Sequence, residues 1–142
     1  MELRLFADAD FAGDRPGYKS TSGSFLIMSG PSTYFPLSAK SAKQTSVSHS
    51  TPEAELVSAA LGIRTVGVPA LDLWEFVLKR LVVLGLMEDK QSTIQVIKTD
   101  VSWLHDCYAR GIFTMTYQTT DGQSADIFTK VFRDRVKWDH AR

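Results

Sequence analysis

The chain has a single cysteine, Cys107, in 142 residues, so it can form neither an internal disulfide nor a cysteine-based zinc centre. That usage suits a reducing, intracellular compartment. It also lacks an excess of either charge: 16 basic residues balance 16 acidic ones. Strong autonomous binding to nucleic acid is therefore not expected, because neutralising phosphates ordinarily leaves a basic surplus. No uninterrupted apolar run approaches the roughly 18–20 residues of a bilayer span, and no membrane span is expected. The opening Met1-Glu2-Leu3-Arg4-Leu5-Phe6 reads as a first strand rather than a signal peptide, since an acid follows Met1 and no long apolar block appears. There is no internal repeat, low-complexity tract or evident linker.

What remains is an ordinary globular composition, 44% hydrophobic and 23% charged, over a length that suits one domain spanning residues 1–142. Four acids stand out in distinct settings: Asp8 in Phe6-Ala7-Asp8-Ala9-Asp10, Glu55 in Pro52-Glu53-Ala54-Glu55-Leu56, Asp89 in Met87-Glu88-Asp89-Lys90-Gln91, and Asp126 in Ala125-Asp126-Ile127-Phe128. They are separated by 47 (8 to 55), 34 (55 to 89) and 37 (89 to 126) residues, which suits one acid per structural element. Two divalent cations bridging a phosphate need about four carboxylates for charge and orientation. Any one of these acids alone reads as a solvated surface carboxylate; as a set they suggest a metal centre.

The periodicity predicts where they sit. Glu2–Ala7 alternates as a strand ending at Asp8, residues 13–17 form a turn, and further strands run near Gly23–Met28 and Thr33–Leu37, giving an antiparallel meander. Ser38–Ser50 reads as a strand fragment and loop. Ser50 is an N-cap, Glu53 completes a capping box and Pro52 sits in the first turn, so a helix begins there. Gly67 and Pro69 should break or bend it. A second helix over Pro69–Arg80 carries Leu71, Trp74, Leu78 and Leu81 on one face. Leu81–Met87 suits a buried parallel strand ending at Glu88-Asp89. Short helices follow at Gln91–Lys98 and Val101–Tyr108, then a strand at Ile112–Gln118, a turn at Asp121-Gly122 and a closing helix over Ser124–Val131. The fold class is α/β, a mixed sheet with helices on its faces.

The segments around the acids occur in a recognisable order: Ala7-Asp8-Ala9-Asp10-Phe11-Ala12-Gly13-Asp14, Lys19-Ser20-Thr21-Ser22-Gly23, Ser50-Thr51-Pro52-Glu53-Ala54-Glu55, Glu88-Asp89-Lys90-Gln91 and Ala125-Asp126-Ile127-Phe128-Thr129-Lys130. Together they resemble the ribonuclease H domain at the end of a copia-type retrotransposon Pol polyprotein, over nearly the whole chain. The resemblance implies a ribonuclease H-like five-stranded mixed sheet, three strands antiparallel and then parallel strands, flanked by helices. It implies hydrolysis of the RNA strand of an RNA–DNA hybrid, during reverse transcription, with two magnesium ions (manganese as an alternative). One ion activates a water and the other stabilises the leaving oxygen. Carried over by motif, Asp8 is the first-strand acid and bridges both ions, Glu55 is the helix acid, Asp89 the fourth-strand acid and Asp126 the last. Asp100 competes with Asp89 for the third role; Asp89 is preferred because Asp-Lys-Gln-Ser-Thr-Ile resembles the family's Asp-Asn-Gln-Ser-Ala-Ile and a strongly apolar strand precedes it. Lys19, Ser20, Thr21 and Ser22, with Lys40 and Lys43, are candidate nucleic-acid contacts. Implied partners are the hybrid and other Pol domains; implied locations are the cytoplasm, the retrotransposon particle or the nucleus.

Other residues have plainer readings. Glu53 is explained by helix capping, and Asp10 and Asp14 by surface or structure. His49, His105 and His140 carry no pattern, Ser48-His49-Ser50 is not a triad, and Trp74, Trp103 and Trp138 are packing residues. Cys107 reads as a small buried apolar residue. The chain departs from the family in two places. Between Gln91 and Thr116 it is shorter by roughly a helical hairpin, losing the expected Thr-Lys/Arg-His segment. Lys90 replaces an Asn beside the third acid and puts a positive charge where a cation would bind. These departures keep open an alternative: a domesticated, non-catalytic fold of this type serving as a structural or interaction subunit of a larger complex.

Overall fold

The computed structural model describes residues 1–14, 17–99, 103–119 and 122–129. Three long strands open the chain, β1 (Glu2–Asp14), β2 (Lys19–Gly30) and β3 (Thr33–Lys43), each antiparallel to the one before. Helices α1 (Thr51–Gly62) and α2 (Val68–Leu78) follow, then β4 (Val83–Glu88), α3 (Gln91–Thr99), α4 (Trp103–Ala109) and β5 (Thr114–Tyr117). The sheet order is β3-β2-β1-β4-β5, with β4 parallel to both β1 and β5. The expected α/β class with a five-stranded mixed sheet is therefore present. All three opening strands run longer than their alternation predicted, because pairing carries through polar ends such as Asp8–Asp10 with Thr21–Gly23 and Ser41–Lys43.

Strand alternation divides the core in two. Leu3, Leu5 and Ala7 of β1, with Leu84 and Leu86 of β4, face Ala59, Ile63, Ile97 and Leu104 on the helices. Phe6, Ile27 and Met87 face the other way, toward Ala125. Cys107 is buried in the first cluster, as expected. In edge strand β3 an irregularity skips Leu37 in the pairing, and Leu37 packs toward the core beside Pro36. An edge strand with a bulge is where a residue without an N–H is tolerated.

The helix start is as read from the sequence: the Ser50 Oγ accepts the Glu53 N–H, and the Glu53 carboxylate accepts the His49 N–H at 2.6 Å. Of the expected break or bend at Gly67 and Pro69, the break does not occur. Instead a π-helical segment, Ile63–Gly67, joins α1 to α2 without interruption, closed by the Val68 N–H bonding the Ile63 carbonyl. Proline has no N–H to give and its ring crowds the carbonyl four residues back, so one wider turn accommodates Pro69. Gly67 is needed for the packing: a Cβ there would lie 3.0 Å from Leu84. The resulting helix, Thr51–Leu78, is by length and composition long and apolar enough to cross a membrane. Its first half, however, buries Ala54, Glu55, Ser58, Ala59 and Gly62 in the fold. In α2 no residue is buried, and Trp74 is only half-covered at the core margin. Trp103 is exposed, with the Arg64 guanidinium 4.9 Å above its ring.

Where a closing helix over Ser124–Val131 was expected, the described portion is a 3-10 turn, Asp126–Phe128. Asp100, Asp121, Trp138 and His140 lie outside the described residues, as does the side chain of Asp14.

Candidate metal centre

The site forms where β4 ends and its pairing with β1 stops. Phe6 pairs with Met87, so Asp8 and the Glu88-Asp89 pair emerge from adjacent strands at the same edge. Glu55 enters from the first turns of α1, the helix held over β1 by Ala59 and Ile63. Asp8, Glu55 and Asp89 are all buried, and each offers a carboxylate oxygen within 4.8 Å of the others. The sequence placed these three acids on three different elements, and the fold brings them together. Hard oxygen donors in this density fit a divalent cation. Asp126 is also buried but lies outside this group of three.

The surroundings hold Asp8 in place. Thr129 donates its hydroxyl to Asp8 Oδ2. The Ser58 hydroxyl donates to the Asp8 carbonyl at 2.6 Å, tying α1 to β1 at the same residue. Opposite Asp8 in the sheet is Gly23, where an added Cβ would meet Thr129 at 2.5 Å and the Ala125 carbonyl at 3.0 Å. Only a residue without a side chain lets the 125–129 turn sit so close to β2. Gln123 braces the strand ends: its fully buried side-chain amide donates to the Ala7 carbonyl at 2.9 Å and, more loosely, to the Met87 carbonyl at 3.4 Å.

Lys90 adds a fixed positive charge. Its ammonium lies 3.1 Å from each carboxylate oxygen of Asp89, whose side chain is fully enclosed while that of Lys90 is partly exposed. Asp89 also stands just before the N-terminus of α3, an end that favours negative charge.

Three residues at the site were not foreseen, Glu88 first among them. Glu88 is completely buried, and neither carboxyl oxygen has a hydrogen-bond partner among the described residues. Burial first, then the charges of Glu55, Asp89 and Asp8, push its pKa from 4.5 up to about 9; the nearby Lys90 backbone N–H offsets a little of this. It is therefore neutral at pH 7. The signal was available in the alternation of β4, which puts Glu88 on the inward face of Leu84 and Leu86, beneath the helices. Thr129 and Gln123 were not foreseen either; their roles depend on contacts with strands more than a hundred residues earlier.

The expected nucleic-acid contacts are dispersed. The Ser20 hydroxyl accepts the Ala12 N–H, and the Ser22 hydroxyl accepts from the Gln44 amide; both serines are buried. Lys40 and Lys43 are exposed on β3 but point to opposite faces. Lys40 reaches Thr65 on the helical side, at 3.4 Å. Lys43 shares the face of Ser41, which is level with Gly23 and Asp8 and bonds the Phe128 carbonyl. Lys19 and Thr21 are half-buried on β2. No protein-family model and no curated protein matches this chain.

Proposed function

We propose that this chain is a metal-dependent nuclease that cuts the RNA strand of RNA–DNA hybrids, a ribonuclease H domain of copia-type retrotransposon origin. The observation that carries the reading is the convergence of Asp8, Glu55 and Asp89, from the first strand, the first helix and the fourth strand, onto one buried point. Sequence motifs alone did not require those three side chains to meet. Their meeting is what phosphodiester hydrolysis by bound cations needs.

Magnesium is the fitting ion, since all three donors are carboxylates, and the resemblance implies two ions. Bound there, magnesium would polarise a phosphate oxygen and lower the pKa of a water. The protein's own contribution is positional. Asp8 is held by Thr129 and Ser58, so its carboxylate is fixed before any ligand arrives. Glu55 is carried by a capped helix, and Asp89 by the end of a central strand. Asp126, three residues before Thr129, is carried on the same turn that grips Asp8.

The 125–129 turn covers Gly23 and Ser41, so substrate would approach beside that turn, toward the ends of β2 and β3 beyond Gly23 and Ser41. Lys43 is on the Asp8 side of the sheet, level with Asp10, about 12 Å from Asp8 at two strand spacings and two residues along. A phosphate of the second strand would fall within its reach, and 2′-hydroxyl contacts would distinguish RNA from DNA. Lys40 faces away and is not part of this surface.

A second reading is favoured by a separate observation. Helix α2 presents Leu73, Phe76 and Val77 to solvent, followed by Leu81, with Phe76 70% and Leu81 89% exposed. An apolar stripe of this kind suits an interaction subunit. The test of the first reading is cleavage of a hybrid carrying a labelled RNA strand, in magnesium, by wild type and by Asp8→Asn. Cutting by the wild type alone supports the nuclease; equal products from both would leave the interaction reading standing.

A further inference from the structure

We propose that the exposed face of α2 is a homodimer interface, on which a second copy of this chain packs its own α2 antiparallel across a two-fold axis beside Phe76. The face lies at the far end of the Thr51–Leu78 helix from Glu55, and the inference stands whether or not the metal centre cuts nucleic acid.

Helix α2 divides its apolar residues between two directions. Leu71 and Trp74 lean on the core, whereas Leu73, Phe76 and Val77 are each more than half exposed. Pro69 is exposed one turn before Leu73, and Leu81 just past the helix end. At about 3.6 residues per turn, Pro69, Leu73, Phe76 and Val77 form one continuous stripe. A contiguous apolar stripe left in water marks an interaction surface.

The charges on this face identify its occupant. Asp72, early in the helix, and Lys79, at its C-cap, are both exposed and fall on the flank of Phe76 away from Val77. The Lys79 ammonium lies 3.7 Å from the centre of the Phe76 ring, so it stands on the stripe itself. In an antiparallel two-fold pairing, each flank meets the same flank of the other copy with its direction reversed. Asp72 then stands level with Lys79 of the second copy, and the symmetry repeats the pair. The same register sets Leu73 opposite Val77 of the second copy and Phe76 beside its counterpart. One geometry therefore matches opposite charges and apolar side chains together. Glu75, the other acid of α2, is turned to its own chain, where its carboxylate accepts the Val82 N–H at 3.1 Å. On the Val77 flank, a groove lined by Leu37, Val66, Ala70, Leu73 and Trp74 is open to receive Val77 of the second copy.

A lipid surface suits this face less well, because Asp72 would be carried toward the acyl chains with the stripe. The eleven residues of α2 span about 16 Å, which is small for an obligate pair, so the dimer should be weak and concentration-dependent.

The experiment is sedimentation equilibrium of the full chain from low micromolar to near-millimolar concentration, with circular dichroism on each variant to confirm the fold. Wild type should pass from monomer to dimer. Phe76→Asp, at a position 70% exposed, should stay monomeric throughout. Asp72→Lys and Lys79→Asp should each weaken dimerisation by about tenfold or more, because like charges then face one another. An equimolar mixture of these two variants should restore it, since each supplies the charge that the other lacks. A monomeric wild type at every concentration overturns the inference. So does a dimer that Phe76→Asp leaves intact, or a mixture no tighter than either variant alone. A monomer that sediments with vesicles of anionic phospholipid would assign the face to a lipid surface instead. None of these results bears on the nuclease reading.

Discussion

Gly23 lies directly across the sheet from Asp8, and the space where its side chain would be is filled by Thr129, whose hydroxyl grips the Asp8 carboxylate. The missing Cβ on one strand thus fixes the acid on the next. Gly23→Ala should push the 125–129 turn off the sheet, costing about 1–3 kcal/mol as overpacking does. Urea unfolding would show the loss in stability, and manganese affinity should fall with it, because Asp8 loses its anchor.

The Gln123 amide supports two carbonyls at once, those just before Asp8 and Glu88. Gln123→Leu keeps most of the volume and removes the donor. Leaving these buried acceptors without it should cost about 1–3 kcal/mol. Thermal denaturation measures this, and Gln123→Glu, which removes the amide donor and adds charge to an acidic neighbourhood, should be worse than leucine.

Glu88 contributes a decline in the stability of the metal-free protein as pH rises. Burial, followed by the charges of Glu55, Asp89 and Asp8, raises its pKa from 4.5 to about 9. The folded state therefore holds a proton that the unfolded chain releases. Its contribution is fully present below about pH 4.5 and is lost as pH rises toward 9. Stability measured across that window, without metal, should decline, and Glu88→Gln should flatten the slope. A wild-type profile that rises between pH 5 and 9 would contradict the placement of Glu88.

Three buried carboxylates brought within 4.8 Å repel one another, and a divalent cation held among them offsets that repulsion. Magnesium should therefore raise the melting temperature of wild type, with a gain of about 2.7 kcal/mol at a hundred times the dissociation constant. Asp8→Asn should melt higher than wild type without metal, and should gain little when magnesium is added.

The sequence revealed most where signals are local. The Ser50–Glu53 cap is a four-residue pattern; the Ser50 half closes as expected, while Glu53 reaches back to the N–H of His49 instead of Ser50. The acids were legible because Asp8 and Glu88-Asp89 follow apolar alternation, although β1 runs on past Asp8 to Asp14. The uninterrupted helix was not legible, because the continuity at Gly67 and Pro69 comes from packing against Leu5 and Leu84, far away in sequence. The same holds for the site's inner supports. Thr129 and Gln123 looked like ordinary polar residues beside an acidic motif, and only the fold places them against β1. Lys90 was visible as a substitution, but whether its ammonium turned toward Asp89 or toward solvent depended on how α3 begins.

The central claim, that Asp8, Glu55 and Asp89 form the centre of a hybrid-cutting nuclease, is tested most directly by a hybrid labelled on each strand in turn, incubated with magnesium and purified protein. Wild type should cut the RNA strand and spare the DNA strand, and both Asp8→Asn and Glu55→Gln should abolish cutting while remaining folded. An intact RNA strand with the wild type, or cutting that persists at wild-type rate in both variants, would contradict the account.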